Sequence, residues 1–80
     1  MSEPTRKDAF DFIQKINNDP ELQKRIRALK SKDWQSFYAI AAEYDLYFNR
    51  SKFYDACLHD VDGFCPALIH FAGQLHTYKM

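Results

Sequence analysis

The sequence predicts an all-α fold, a small bundle of four to five short helices. Apolar residues recur at helical spacing along most of the chain. Residue types that favour helix starts precede these apolar patterns at Thr5, Asp19, Asp33 and Asn49. The 80 residues are 46% apolar and include only two glycines and three prolines. This composition argues against disorder and against a turn-rich all-β chain.

The first two helices are predicted from their start signals. Thr5, with Asp8 three residues later, resembles a capping box in which Asp replaces the usual Glu or Gln. Asp19-Pro20 then begins a second helix, which should end near Lys30. The inward stripes are Ala9, Phe12, Ile13 and Ile16 in the first helix and Leu22, Ile26 and Leu29 in the second. Because the second stripe is narrow, this helix should pack on one side only.

Three further helices follow. Either Ser31 or Asp33 caps the third helix, which we expect to be the most heavily buried. Asn49 caps the fourth, residues 60–63 read as a turn, and Pro66 opens the fifth. The apolar lines of these helices are Trp34, Phe37, Ala41 and Tyr44, then Phe53, Ala56 and Cys57, then Leu68, Phe71, Ala72 and Leu75. The predicted core combines Phe12, Ile16, Leu22, Ile26, Trp34, Phe37, Ala41, Phe48 and Phe53.

An ordered set of residues resembles one family of small bacterial proteins. The set is Phe12, Lys15, Asp19-Pro20-Glu21-Leu22-Gln23, Ala28, Trp34, Ile40-Ala41, Glu43, Leu46, Phe48 and Phe53. It resembles the leader-peptide family of nitrogen-fixation gene clusters, a relative of the nitrile-hydratase-like leaders. The resemblance covers residues 5–58 and implies a leader-like helical domain over 1–60. Residues 61–80 lie beyond the resemblance, and the apolar periodicity after Pro66 predicts that this C-terminal extension forms a packed helix. Asp45 departs from it, because a glycine is expected there at the helix end.

This resemblance implies two alternative functions. Some members are standalone proteins of unknown biochemical role in nitrogen-fixing bacteria. Others are leaders of ribosomally made, modified peptides, cleaved after a double-glycine-type motif. Ala72-Gly73 is the nearest small pair here, and the released segment 74–80 would carry only Thr77 among Ser, Thr and Cys. We therefore expect a standalone, non-enzymatic protein-binding domain associated with nitrogen fixation, with the precursor as the alternative.

Four residues have side chains of the types that bind soft metals or take part in catalysis. They are Cys57, His59, Cys65 and His70. Zinc sites usually use Cys or His residues in closely spaced pairs, and these four residues do not form such pairs. Cys65 directly precedes the start of the fifth helix, a position typical of reactive cysteines, so a nucleophilic Cys65 is the alternative. A base and an orienting group would also have to converge there. We expect no metal, no cofactor and no enzymatic activity.

Nucleic-acid and membrane binding are also not expected. Helices two and three resemble a helix-turn-helix, but the third carries no Arg or Lys through Leu46, and a DNA-reading helix needs them. No stretch approaches the roughly 20 apolar residues of a membrane span. The N-terminus lacks the pattern of a signal peptide, and two cysteines without an export signal are expected to be thiols. These observations favour a cytoplasmic location.

One charged segment is the candidate partner contact. Five cations lie between Glu21 and Asp33 with no acid among them, although the net charge of the chain is zero. They are Lys24, Arg25, Arg27, Lys30 and Lys32. A cationic face speeds association with acidic protein surfaces. We predict that Lys24, Arg25, Arg27 and Lys30, with nearby tyrosines, contact another protein, either a nitrogenase-related protein or a peptide-modifying enzyme. The alternative is a solvated face that only maintains solubility.

Overall fold

Five helices make up the regular structure of the part of the chain that the computed structural model describes, residues 3–61 and 63–73. They are α1 (Arg6–Asn18), α2 (Pro20–Arg27), α3 (Trp34–Ala42), α4 (Arg50–His59) and α5 (Pro66–Ala72). No strand occurs in these residues. The predicted all-α fold is confirmed. Helix α1 packs against α4 and α2, and α2 packs against α5.

The predicted capping residues begin four of the helices. Thr5 accepts a hydrogen bond from the Asp8 amide at 3.0 Å, and Asp19 accepts from the Glu21 and Leu22 amides at 3.0 and 3.3 Å. The α3 cap is Asp33, which accepts from the Ser36 amide at 3.4 Å and from its hydroxyl at 2.8 Å. Asn49 caps α4 through the Lys52 amide at 2.8 Å. Each cap satisfies amides that have no partner within the helix.

Helix α2 ends at Arg27 rather than near Lys30. The chain leaves the helix because the next turn is bonded to α5 instead. Both the Ser31 hydroxyl and the Lys32 amide donate to the Phe71 carbonyl, at 3.1 and 2.9 Å. Lys32 reaches this carbonyl with a left-handed backbone, φ 63°. Ser31 therefore fastens the loop to α5 and does not cap α3.

Side chains from all five helices form one hydrophobic core. The fully buried large side chains are Phe12, Phe37, Phe53, Phe71, Ile13, Ile16, Leu22, Ile26, Leu68, Val61 and Cys57. Phe37 is central, stacked on Phe71 with ring centroids 4.4 Å apart and edge-on to Phe12 at 5.1 Å. The predicted core is confirmed except at Trp34, which is half-buried. Trp34 is the first residue of α3 and lies at the end of the core, where a large ring is seldom enclosed on all sides.

Two other expectations about burial are wrong. Helix α3 buries three residues, whereas α1 and the shorter α5 bury four each. Tyr44 follows the end of α3 and is 36% exposed, so it does not continue the buried line. Val61, within the predicted turn, is fully buried and adds to the core. Leu75, expected on the inner face of α5, lies outside the described residues.

The loop before α5 is positioned by Asn17. The side-chain amide of Asn17 donates to the Gly63 carbonyl at 3.0 Å, and its oxygen accepts from the Cys65 amide at 2.9 Å. These two bonds hold the loop against the end of α1. Asn17 therefore helps to place helix α5 beside α2. From the local sequence, Asn17 indicates only the end of a helix.

Candidate protein-binding surface

The four predicted contact residues are all exposed. Lys24, Arg25 and Arg27 lie on α2, and Lys30 lies in the loop that follows it. The inward residues of α2 are Leu22 and Ile26, which point into the core. The predicted narrow stripe therefore leaves a broad solvent-facing side. The four cations differ in the residues that lie next to them.

Arg25 is engaged in an ion pair with Glu43, the residue that caps the end of α3. Its Nη1 and Nη2 atoms donate to Glu43 Oε1 and Oε2 at 2.8 and 2.6 Å, a bidentate geometry. The hydrogen bond lowers the pKa of Glu43 and raises that of Arg25. The pair connects α2 to α3. Because Glu43 offsets the Arg25 charge, Arg25 is a weaker attractor of anions than its position in the sequence suggests.

Lys24 interacts more weakly with an acidic side chain than Arg25 does. Its Nζ lies 3.8 Å from Glu21 Oε1, three residues earlier on the same helix, and the two side chains are 77% and 83% exposed. An exposed pair at this distance contributes little to stability and is easily exchanged for another partner. Lys24 can therefore contribute to a contact, but its field is reduced by Glu21.

Arg27 faces another element. It lines a shallow depression together with Pro66 and His70 of α5. No acidic residue occurs in α5. Lys30 and Lys32 lie in the loop after α2, and the backbone amide of Lys32 donates to the carbonyl of Phe71, the neighbour of His70. We refer to Arg27, Lys30, Lys32 and His70 as the α2–α5 cationic surface.

His70 is the contributor that the sequence reasoning missed, since it was weighed only as a metal ligand. Its place opposite the apolar face of the fifth helix predicts exposure, and the structure confirms that His70 is exposed. Nothing in the sequence shows that this helix packs against α2. The packing of α2 against α5 brings an imidazole next to Arg27.

The other residues considered for chemistry differ in their burial. Cys57 is fully buried in the core, Cys65 is half-buried at the start of α5, and His59 is exposed at the end of α4. Both cysteines are thiols. Within residues 3–61 and 63–73, no three His, Cys, Asp or Glu side chains are grouped as a metal ion would require. The same residues include no buried polar or charged side chain.

Fold and surface together define a small all-α bundle with an aromatic core and a one-sided cationic surface. The sequence matches no family model, and neither a curated protein nor a solved structure matches it. The resemblance to the nitrogen-fixation leader-peptide family therefore stays a prediction. No helix in the described part of the chain is long and apolar enough to cross a membrane.

Proposed function

We propose that this protein is a non-enzymatic binding domain that docks an acidic surface of another protein on the α2–α5 cationic surface. One observation supports this most directly. The acid-free half of α2 and its loop pack against a helix that also lacks acids, so no carboxylate of either segment offsets the charges of Arg27, Lys30 and Lys32. Fields of like charge add over roughly a Debye length, about 8 Å at physiological salt.

The surface of the described residues also supports a binding role. The depressions on this surface are open to solvent and lined by exposed and half-buried side chains, and the shifted pKa values have simple local causes. The pKa of Lys7 is raised by its hydrogen bond to Asp11, and that of Tyr38 is raised by burial. Catalytic groups are usually shifted by desolvation together with a charged partner in a cleft. We also propose a cytoplasmic location, which the two thiols support.

The precursor-peptide alternative is less well supported by the geometry at Gly73. Ala72 is the last residue of α5 and is only 5% exposed. A peptidase that reads this small pair would have to pull Ala72 out of the core first. An association with nitrogen fixation is proposed from the resemblance alone, as is the choice between a nitrogenase-related protein and a peptide-modifying enzyme.

Charge reversal at the cationic surface tests the binding role. Proteins captured by the immobilised wild-type chain from a native lysate are identified and purified, and their affinities are then measured directly. The double variant Arg27→Glu/Lys30→Glu should lose roughly tenfold in affinity at low salt, since each exposed charge pair is worth about 0.2–1 kcal/mol and repulsion is added. The loss should shrink as salt is raised.

A matched control separates local charge from net charge. Lys7→Glu/Lys52→Glu changes the net charge equally but alters a different depression, which Lys7 and Lys52 line. This control should bind like the wild type, and circular dichroism should show all variants folded. Equal weakening by both double variants would mean that only net charge matters and would refute the proposed surface. Unchanged affinity of Arg27→Glu/Lys30→Glu would refute it as well.

A further inference from the structure

A groove between the starts of α3 and α4 is lined by aromatic rings. Its walls are Trp34, Tyr38, Asn49, Arg50, Ser51 and Tyr54. The centroid of the Trp34 ring lies 5.9 Å from that of Tyr38 and 5.7 Å from that of Tyr54. All three rings are half-buried, so part of each faces the groove. None of these residues belongs to the α2–α5 cationic surface, and we name this site the aromatic groove.

The floor of the aromatic groove is rigid. The Trp34 ring is edge-on to Phe37, Phe53 and Phe71, with centroids 5.6, 5.2 and 5.0 Å away. All three phenylalanines are fully buried. A ring held by a packed core loses little conformational freedom when a ligand covers it. The groove is therefore formed before any ligand arrives.

The charge of the aromatic groove is positive. Arg50 is exposed, and within the described residues it forms no ion pair. No carboxylate lines the groove. Arg50 is also the first residue of α4, so the positive end of that helix dipole points the same way. An occupant with a carboxylate beside an apolar residue would match both the rings and the guanidinium.

We propose that the aromatic groove binds an extended, proline-containing segment of a partner protein, with an acidic side chain of that segment on Arg50. Grooves lined by Tyr and Trp accept polyproline II segments because such segments are extended in advance and lose little entropy on binding. Single-stranded nucleic acid also stacks on aromatic rings, but it needs a row of cations along its backbone. The residues that line the groove include one cation, Arg50.

Trp34 provides the readout, because it is the only tryptophan in the chain and lines the groove. The full chain is titrated with the peptide acetyl-Ala-Pro-Pro-Glu-Pro-Pro-Ala-amide while Trp34 emission is followed. We expect a saturable change in emission. Replacing Glu by Gln in the peptide should weaken binding roughly three- to fivefold, the size expected for one exposed ion pair. In Arg50→Gln protein, the two peptides should bind equally.

The controls make either outcome decisive. Lys52→Gln removes the same charge from the same helix outside the groove lining, so it should keep the preference for the Glu peptide. A peptide with alanine in place of all its prolines should bind more weakly than the original. The proposal is overturned if no saturable change appears at millimolar peptide, or if Arg50→Gln keeps the preference for Glu. A stronger response to oligo(dT) than to the peptide would overturn it in favour of nucleic acid.

Discussion

Replacing Phe37 by alanine should destabilise this protein more than any other single truncation in α3. Phe37 is fully buried and its ring contacts those of Phe12, Trp34, Phe48, Phe53 and Phe71, at centroid distances from 4.4 to 5.9 Å. Removing a buried phenylalanine ring costs about 3–5 kcal/mol, through lost transfer free energy and the cavity left behind. Four of these neighbours belong to four other segments of the chain, so no single shift closes the cavity.

The total stability sets the scale of this loss. At roughly 0.05–0.15 kcal/mol per residue, 80 residues give about 4–12 kcal/mol. Phe37→Ala should therefore leave the chain marginally folded or unfolded. Phe37→Leu keeps most of the volume and should cost less, about 1–2 kcal/mol. With a urea m-value of about 1 kcal/mol per M, the leucine variant should shift the midpoint by about 1–2 M.

Urea unfolding followed by far-ultraviolet circular dichroism and by Trp34 emission checks both variants. Tyr47→Ala is the control, because Tyr47 is 36% exposed and its side chain lies outside the core. The control should change the free energy of unfolding by less than about 1 kcal/mol. If Phe37→Ala were as stable as Tyr47→Ala, the central position of Phe37 in the core would be refuted.

Three further predictions follow from local geometry. Trp34→Ala should cost about 2–3 kcal/mol in urea unfolding, less than Phe37→Ala because Trp34 is half-buried, and a larger loss than at Phe37 would contradict the packing. Asp45→Gly should raise the free energy of unfolding by about 0.5–1 kcal/mol, since Asp45 has φ 61°, and a destabilised variant would argue against this backbone. Arg25 lowers the pKa of Glu43 below the usual 4.5, so their pair stabilises the folded state above pH 4.5, and this contribution is lost as the pH falls through the lowered value. Glu43→Gln should therefore be less stable than wild type at neutral pH and equal to it in strong acid, whereas a difference that persists in strong acid would exclude the pair as its cause.

The helices and their starts could be predicted from the sequence because the physics involved is local. A capping side chain acts on amides two or three residues away, as at Thr5, Asp19 and Asn49. Helical periodicity likewise identified the buried side of α1 without knowledge of its neighbours. Asp45 stands where the resemblance implies a glycine, and it adopts a left-handed conformation. The cationic segment between Glu21 and Asp33 could also be identified, since it depends only on the order of charged residues in the sequence.

The sequence did not show which residues of other helices the charged side chains would contact. The ion pair of Arg25 with Glu43 joins residues 18 positions apart, and the depression shared by Arg27 and His70 joins two helices. The aromatic groove depends in the same way on α3 and α4 meeting at Trp34 and Arg50. Nothing local in the sequence places Tyr38 and Tyr54 on one groove. Tyr78, another of the five tyrosines, lies outside the described residues.

The sequence by itself determined the all-α class, the helix starts and most of the core, because each depends on residues within a few positions of one another. Only the tertiary structure decided where α2 ends, how far Trp34 is buried and which cations share a surface. The end of α2 depends on the Phe71 carbonyl, which bonds Ser31 and Lys32 from 40 and 39 residues away along the chain. Such contacts depend on how helices pack, and packing is set by all the side chains at once rather than by any local pattern.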